Sequence, residues 1–306
     1  MEYFQPYIRK FMKTLEKEKM TESTRTSYEL GLQFFVDFMN NEFPDTKFDA
    51  ILKIHLSSFF DYLHEVKKNK GKTLRVKYFA MKRFLIWAFK EGLTDKKADE
   101  LLDIPEKGED LPPVIMNEEE IEKIRQVLKN GLPKSSGIVN LRRRIMFALM
   151  WHFGAEVSEI YKLKVSDINM GEESVTFRIR QKERTRSMSK DLVKLMKEYL
   201  AQITDYKESD SLFRATKGES YVFSTRMIQK DFETIVDSID IDKQRKISCS
   251  SIRHTRIKKC IESGRDSLAV ATFFGLDLSR VKQYIEDLKI DINAGFKSDK
   301  PFLGEL

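Results

Sequence analysis

Cysteine is scarce in this sequence: Cys249 and Cys260 are the only two among 306 residues. Two are too few for a disulfide framework and fit a reducing compartment, where both read as inert packing thiols. Histidine is nearly as scarce. His55, His64, His152 and His254 share no metal-ligand spacing with the cysteines, so no metal and no cofactor is expected. No apolar run approaches the roughly 18 residues that a membrane-spanning helix needs. The opening MEYFQPYIRK has acidic and aromatic residues where a secretory signal needs a basic start and an apolar stretch. A cytoplasmic protein with no membrane partner is the expectation. Internal repeats and low-complexity segments are missing as well.

What is present suits helices and a polyanionic partner. Hydrophobic residues make up 41% of the chain, enough for real cores, and charged residues 34%, which suits long amphipathic helices with solvated faces. The net charge is +7, compatible with nucleic acid. At 306 residues the chain is about twice the usual domain length, so two domains are expected.

The pattern along the chain divides accordingly. Residues 1–104 read as helical: Tyr28, Leu32, Phe35, Val36 and Met39 recur at helical spacing between Ser23 and Asn41, with Thr21 or Ser23 as the cap. A second stripe, Leu74, Tyr78, Met81, Phe84, Leu85 and Ala88, runs from Thr73 to Phe89 and ends near Gly92. Four main helices and a short fifth are expected. Residues 105–116 are rich in proline and alternating charge and read as a linker. Asn117 followed by Glu118, Glu119 and Glu120 is a capping signature that opens a second domain, residues 117–306. That domain is mixed. A helix covers Arg142 to Phe153, with Arg142, Arg143 and Arg144 as its solvated start. Val175 to Ile179 alternates as a strand does, a charged turn follows, and Met188 opens the return strand. Further helices are expected at Asp191–Leu200, Thr225–Ser238, Ser250–Ser263, Ser267–Phe274 and Leu278–Leu288.

Several stretches of the second domain, in order, resemble the catalytic domain of tyrosine recombinases, the phage integrase family. Gly154-Ala155-Glu156-Val157-Ser158-Glu159-Ile160, then Leu163-Lys164-Val165-Ser166-Asp167-Ile168, resembles the box T-G-[LM]-R-x-S-E-L followed by L-x-W-x-D-I. The Val175–Met188 hairpin resembles the family hairpin, with Lys182 at its lysine. Ile252-Arg253-His254-Thr255 resembles H-x-L-R-H-T; Gly264 and Phe274-Gly275-Leu276 match the G…L-G-H spacing, and Tyr284 stands where the nucleophile is expected. In the first domain Thr24 to Tyr28 is similar to T-x-x-x-Y, and Leu111-Pro112-Pro113 is similar to the family junction. The resemblance covers nearly the whole chain. It implies a mainly α fold with a small β-sheet (α+β): a helical SAM-like core-binding domain and a recombinase catalytic-type domain.

The resemblance also implies a chemistry and its loss. In the family a tyrosine hydroxyl attacks a DNA phosphodiester without metal, two arginines clamp the charged oxygens, and a lysine and histidines move protons. Here Lys182, Arg253, Tyr284 and the secondary His254 match, whereas Glu156 replaces the first arginine, Ser250 a histidine and Leu276 a histidine or tryptophan. Loss of a phosphate-clamping arginine costs about three to five orders of magnitude in rate, by analogy with arginine fingers. At ~4 Å, like charges repel by roughly 4 kcal/mol at an intermediate dielectric. Strand cleavage is therefore not expected. Arg253 has two readings, a structural ion pair with Glu156 or a DNA phosphate contact. Tyr284 likewise reads as a nucleophile or as a half-buried amphipathic tyrosine.

The features that would hold double-stranded DNA look better kept. The expected contacts are Lys70, Lys72, Arg75, Lys77 and Arg83 in the first domain. In the second they are Arg178, Arg180, Arg184, Lys243, Arg245, Lys246, Arg256, Lys258 and Lys259, mostly to phosphates. Base reading is expected from the helix beginning near Thr73, with Arg75 at a guanine edge. The leading expectation is a sequence-specific regulator, a repressor of a temperate phage or mobile element. A working integrase acting through Tyr284, with Arg180 or Arg256 replacing the lost clamp, is the alternative. An inactive subunit of a recombinase complex is the third, with self-association through the tail from Asp291 to Leu306.

Overall fold

The computed structural model describes residues 3–18, 20–69, 71–103, 112–133, 135–179, 182–203, 206–214, 223–242 and 244–291, without the side chains of Ile179 and Lys182. Two compact units, Met1–Leu111 and Pro112–Leu306, make up the chain. Lys70, Ile104, Arg180 and Lys243, residues 105–111 of the expected linker and the tail beyond Asp291 lie outside the described residues.

The first unit is helical: α1 (Gln5–Glu16), α2 (Glu22–Glu42), α3 (Lys53–Glu65), α4 (Gly71–Lys90) and the short α5 (Ala98–Leu101). Thr21 starts α2, its side chain accepting from the Thr24 N–H. Tyr78, Met81, Phe84, Leu85 and Ala88 of α4 are buried against Leu32, Phe35, Val36 and Met39 of α2 and Phe11 of α1 in one core. That core is a mesh of rings. Phe35 meets Phe59 edge-on at 5.3 Å, and Phe84 meets Phe11 at 5.4 Å and Phe48 at 5.5 Å. Such pairs add about 0.5–1.5 kcal/mol each beyond the area they bury.

In the second unit, α6 (Glu118–Asn130) opens on the capping box, Asn117 Oδ1 accepting from Glu120 N–H while the Glu120 carboxylate accepts from Asn117 N–H. The elements α7 (Gly137–Phe153), α8 (Val157–Lys162), β1 (Ile168–Asn169), β2 (Ser174–Ile179), β3 (Lys182–Ser187), α9 (Lys190–Ala201), α10 (Thr225–Asp237), α11 (Cys249–Glu262), α12 (Ser267–Phe274) and α13 (Leu278–Asp287) follow. The long α7 is buried almost all round and forms the axis of the core. The strands make an antiparallel sheet in the order β1-β2-β3, with Val175 opposite Arg186 and Phe177 opposite Arg184. The architecture is mainly α with a small sheet. Residues 112–116, read from sequence as linker, pack on this unit: Met116 is buried, and its N–H donates to Thr255 Oγ1 at 2.8 Å.

Three expectations are corrected. The return strand starts at Lys182, the partner of Ile179, and ends at Ser187, one residue before Met188, so the charged residues 182–186 belong to the strand. The Arg142–Arg144 run is not a solvated start. Arg142 is fully buried and Arg143 nearly so, both donating to Asp231 on α10, and Arg142 also donates to the Arg214 carbonyl. A buried cation persists only when paired in this way. Arg184, expected on DNA, turns inward. Residues opposite each other on neighbouring strands share a face, so burial of Phe177 carries Arg184 to the inner side, where its guanidinium lies 4.8 Å from the Phe177 ring centroid.

Candidate active site

The site is assembled where two helices end. The last carbonyls of a helix lack intrahelical donors and carry partial negative charge, which suits cations. Arg184 donates to the Phe153 carbonyl at the end of α7 and to that of Phe273 near the end of α12, at 2.9 and 3.0 Å. Arg253, from α11, donates to Gly154 just past α7 and to Phe274 of α12. Arg186 adds bonds to Thr272 and Phe273. Arg184 and Arg253 thus tie the two helix ends together, and Arg186 adds to the α12 end alone. Gly154 suits the junction, since its φ of +57° is left-handed and a Cβ there would collide with the Phe274 ring.

Two carboxylates complete the arrangement. Glu159, fully buried on α8, accepts a bidentate pair of bonds from Arg184 at 2.9 and 3.0 Å and one from the Glu156 N–H at 2.7 Å. Glu156, about half exposed, places a carboxylate oxygen 3.4 Å from Arg253, and Glu159 stands 3.7 Å from it. Glu159 and Glu156 therefore offset the charges of Arg184 and Arg253, while Arg186 stays beside them on backbone carbonyls. Burial pulls the guanidinium of Arg253 below its usual value, and Glu156 and Glu159 oppose that pull.

Beside this network opens a cleft of about 370 Å³. Glu156, Ser250, Arg253, His254, Leu276 and Tyr284 all line it, so six of the seven positions singled out by the family pattern converge. The seventh, Lys182, belongs to β3, and its side chain is not described. Tyr284 of α13 is nearly buried, with the His254 ring centroid 5.7 Å from its own. Burial pushes the Tyr284 phenol above its usual value, while Arg280 and Arg253 act the other way. A raised phenol holds its proton, which weakens a nucleophile.

Arg280 was missed from sequence. One turn before Tyr284 on α13, it lines the cleft, and its guanidinium lies 5.0 Å from the Tyr284 ring centroid. Spacing of four residues ahead of the tyrosine was the available signal. Arg256, one expected substitute for the lost clamp, is not among the lining residues.

The remaining expected DNA contacts differ between the units. On α4, Lys72 and Arg75 are exposed, Lys77 lies over the Phe34 ring and Arg83 pairs with Glu18. In the second unit most are paired within the protein: Arg178 with Asp167 and Glu183, Arg245 with Glu120, Lys258 with Glu262 and Lys259 with Glu118. Lys246 is exposed and Arg256 half-buried. Among the described residues no group of three or more His, Cys, Asp or Glu could hold a metal, and no helix is long and apolar enough to cross a membrane.

Comparison with known proteins agrees with this architecture. The chain is 24% identical over 275 residues to a probable integrase/recombinase protein of Methanocaldococcus jannaschii, covering 84% of this chain and 79% of that protein. It is 22% identical over 301 residues to tyrosine recombinase XerD of Listeria innocua, covering 95% and 97%. The crystal structure of XerH site-specific recombinase bound to a palindromic difH substrate superposes with a TM-score of 0.68 at 19% identity, over 86% of this chain and 76% of that one. Residues 115–289, more than half of the chain, match the family model described as phage integrase, and this protein belongs to that family of tyrosine recombinases.

Proposed function

We infer that the protein binds duplex DNA sequence-specifically and holds a backbone phosphate at the cleft without cutting the strand. It then acts by occupying DNA, as a transcriptional repressor of a temperate phage or mobile element. One observation carries the reading: Arg253, the clamp arginine that remains, already donates to two helix-end carbonyls and faces two carboxylates, one of them Glu156 at the other clamp position. A phosphate arriving there meets a neutralised group beside a negative charge, which disfavours the dianion-like transition state of phosphoryl transfer. The DNA-bound recombinases among its structural relatives support duplex DNA as the partner.

The test is recovery of bound fragments from sheared DNA, split before and after strong detergent. Fragments sharing a sequence and leaving cleanly in detergent support the reading, and their position at promoters tests the repressor role. A second reading, strand transfer through Tyr284, is favoured by Tyr284, His254, Arg253 and Arg280 lining one cleft. Fragments that stay attached in detergent, and come free in Tyr284→Phe, would establish that reading instead.

A further inference from the structure

Helix α4 carries six cations, Lys72, Arg75, Lys77, Lys82, Arg83 and Lys90, and no acidic residue. Its core side is Tyr78, Ala80, Met81, Phe84, Leu85 and Ala88. At about 100° per residue, Lys72, Val76, Phe79 and Arg83 fall on one line along the opposite side, with Arg75 beside it. A helix packed on a core usually turns polar side chains to that side. Here Val76 is 41% and Phe79 49% exposed, in the middle of the cations. Lys77 lies off this line. It reaches over α2, its ammonium 4.1 Å from the Phe34 ring centroid, and so leaves Val76 and Phe79 uncovered.

Arg83 pairs with Glu18 and Lys82 with Asp99, so Lys72 and Arg75 are the cations beside this apolar pair for which α4 offers no acidic partner. Such a face suits a partner that is anionic at its edges and apolar between them. A protein helix would have to bring an acidic rim of its own. The major groove of B-DNA already has that form. It is wide enough for an α-helix, phosphates run along both sides, and the C5 methyl of thymine is the apolar group on its floor. We propose that Val76 and Phe79 read thymine methyl groups in the major groove, with Lys72 and Arg75 on the flanking phosphates. The inference rests on the DNA-binding reading above and assigns its specificity to apolar contact.

Deoxyuridine supplies the test, since it pairs as thymine does and lacks only the methyl group. The full chain selects its preferred duplexes from a random-sequence pool, and each thymine of the best site is then replaced singly by deoxyuridine. At one or two positions affinity falls about fourfold, the value of one buried methyl-sized group. Phe79→Ala, at an exposed position and with an unchanged melting temperature, binds the thymine and deoxyuridine duplexes equally, whereas Phe79→Leu keeps part of the difference. Deoxyuridine tolerated at every position, or an equal loss in wild type and Phe79→Ala, overturns the proposal. So does a Phe79→Ala variant that loses self-association or a protein partner while reading DNA normally. A chain that enriches no duplex at all removes the DNA-binding reading itself, and the proposal with it.

Discussion

Glu156 and His152 carry the sharpest consequences of single side chains. Glu156 sets a negative charge 3.4 Å from Arg253 at the rim of the cleft. Glu156→Gln removes that charge, and duplex affinity is expected to rise about tenfold, equivalent to about 1.4 kcal/mol. Filter binding of the two proteins to one operator duplex checks it; unchanged affinity would mean that no phosphate approaches Arg253. His152 acts on stability instead. Burial, and next the neighbouring Arg256, pull its imidazole from 6.5 to about 4. Between those values the unfolded chain binds a proton that the folded chain does not. Stability is therefore full above pH 6.5 and falls as pH drops toward 4, by roughly 3 kcal/mol. Denaturant midpoints at pH 7 and pH 4.5 should diverge in the wild type and converge in His152→Phe.

At the scale of elements, the join between α7 and α12 should be the most sensitive place in the second unit. Arg184→Ala leaves Glu159 buried without its bidentate partner, at an expected cost of 3–5 kcal/mol, on the order seen for broken buried pairs. Gly154→Ala adds left-handed strain to a collision with Phe274, and is expected to cost about 2–4 kcal/mol. Thermal melts measure both. Helix ends were the most legible part of the sequence: Asn117 and its glutamates gave the start of α6, and α12 runs from Ser267 to Phe274 as its apolar pattern indicated. Local chemistry sets such ends. Arg142 was misread because its partner Asp231 lies 89 residues away, where no local pattern reaches. Arg184 was misplaced because a return strand opening at Met188 left it in a charged turn instead of opposite Phe177. Six site positions, Glu156, Ser250, Arg253, His254, Leu276 and Tyr284, were legible through the ordered boxes, whereas Arg280 belongs to no box and needed the cleft to reveal it.

For the whole molecule the governing quantity is the salt dependence of binding. Each phosphate contact contributes about 0.9 to the slope of log affinity against log salt on B-DNA. Arg75→Ala should lower that slope by about 0.9 and leave the melting temperature unchanged, because Arg75 is exposed. Many cations of the second unit start in ion pairs with carboxylates, so their contribution to the slope should be smaller than their number suggests. If the protein acts by occupying DNA, as proposed, Tyr284→Phe should leave affinity and slope as they were, because occupancy makes no use of the hydroxyl.

Arg253 has two employments, and only one of them concerns DNA. It fastens the ends of α7 and α12, so a descendant that abandoned cutting would still unfold without it. Glu156, half in solvent, caps the start of α8 and pairs with Arg253, but it joins no two helix ends. Inactivation in such a protein should therefore erase the outer clamp first and leave the inner one standing. An arginine at this position testifies to a folded chain before it testifies to an enzyme.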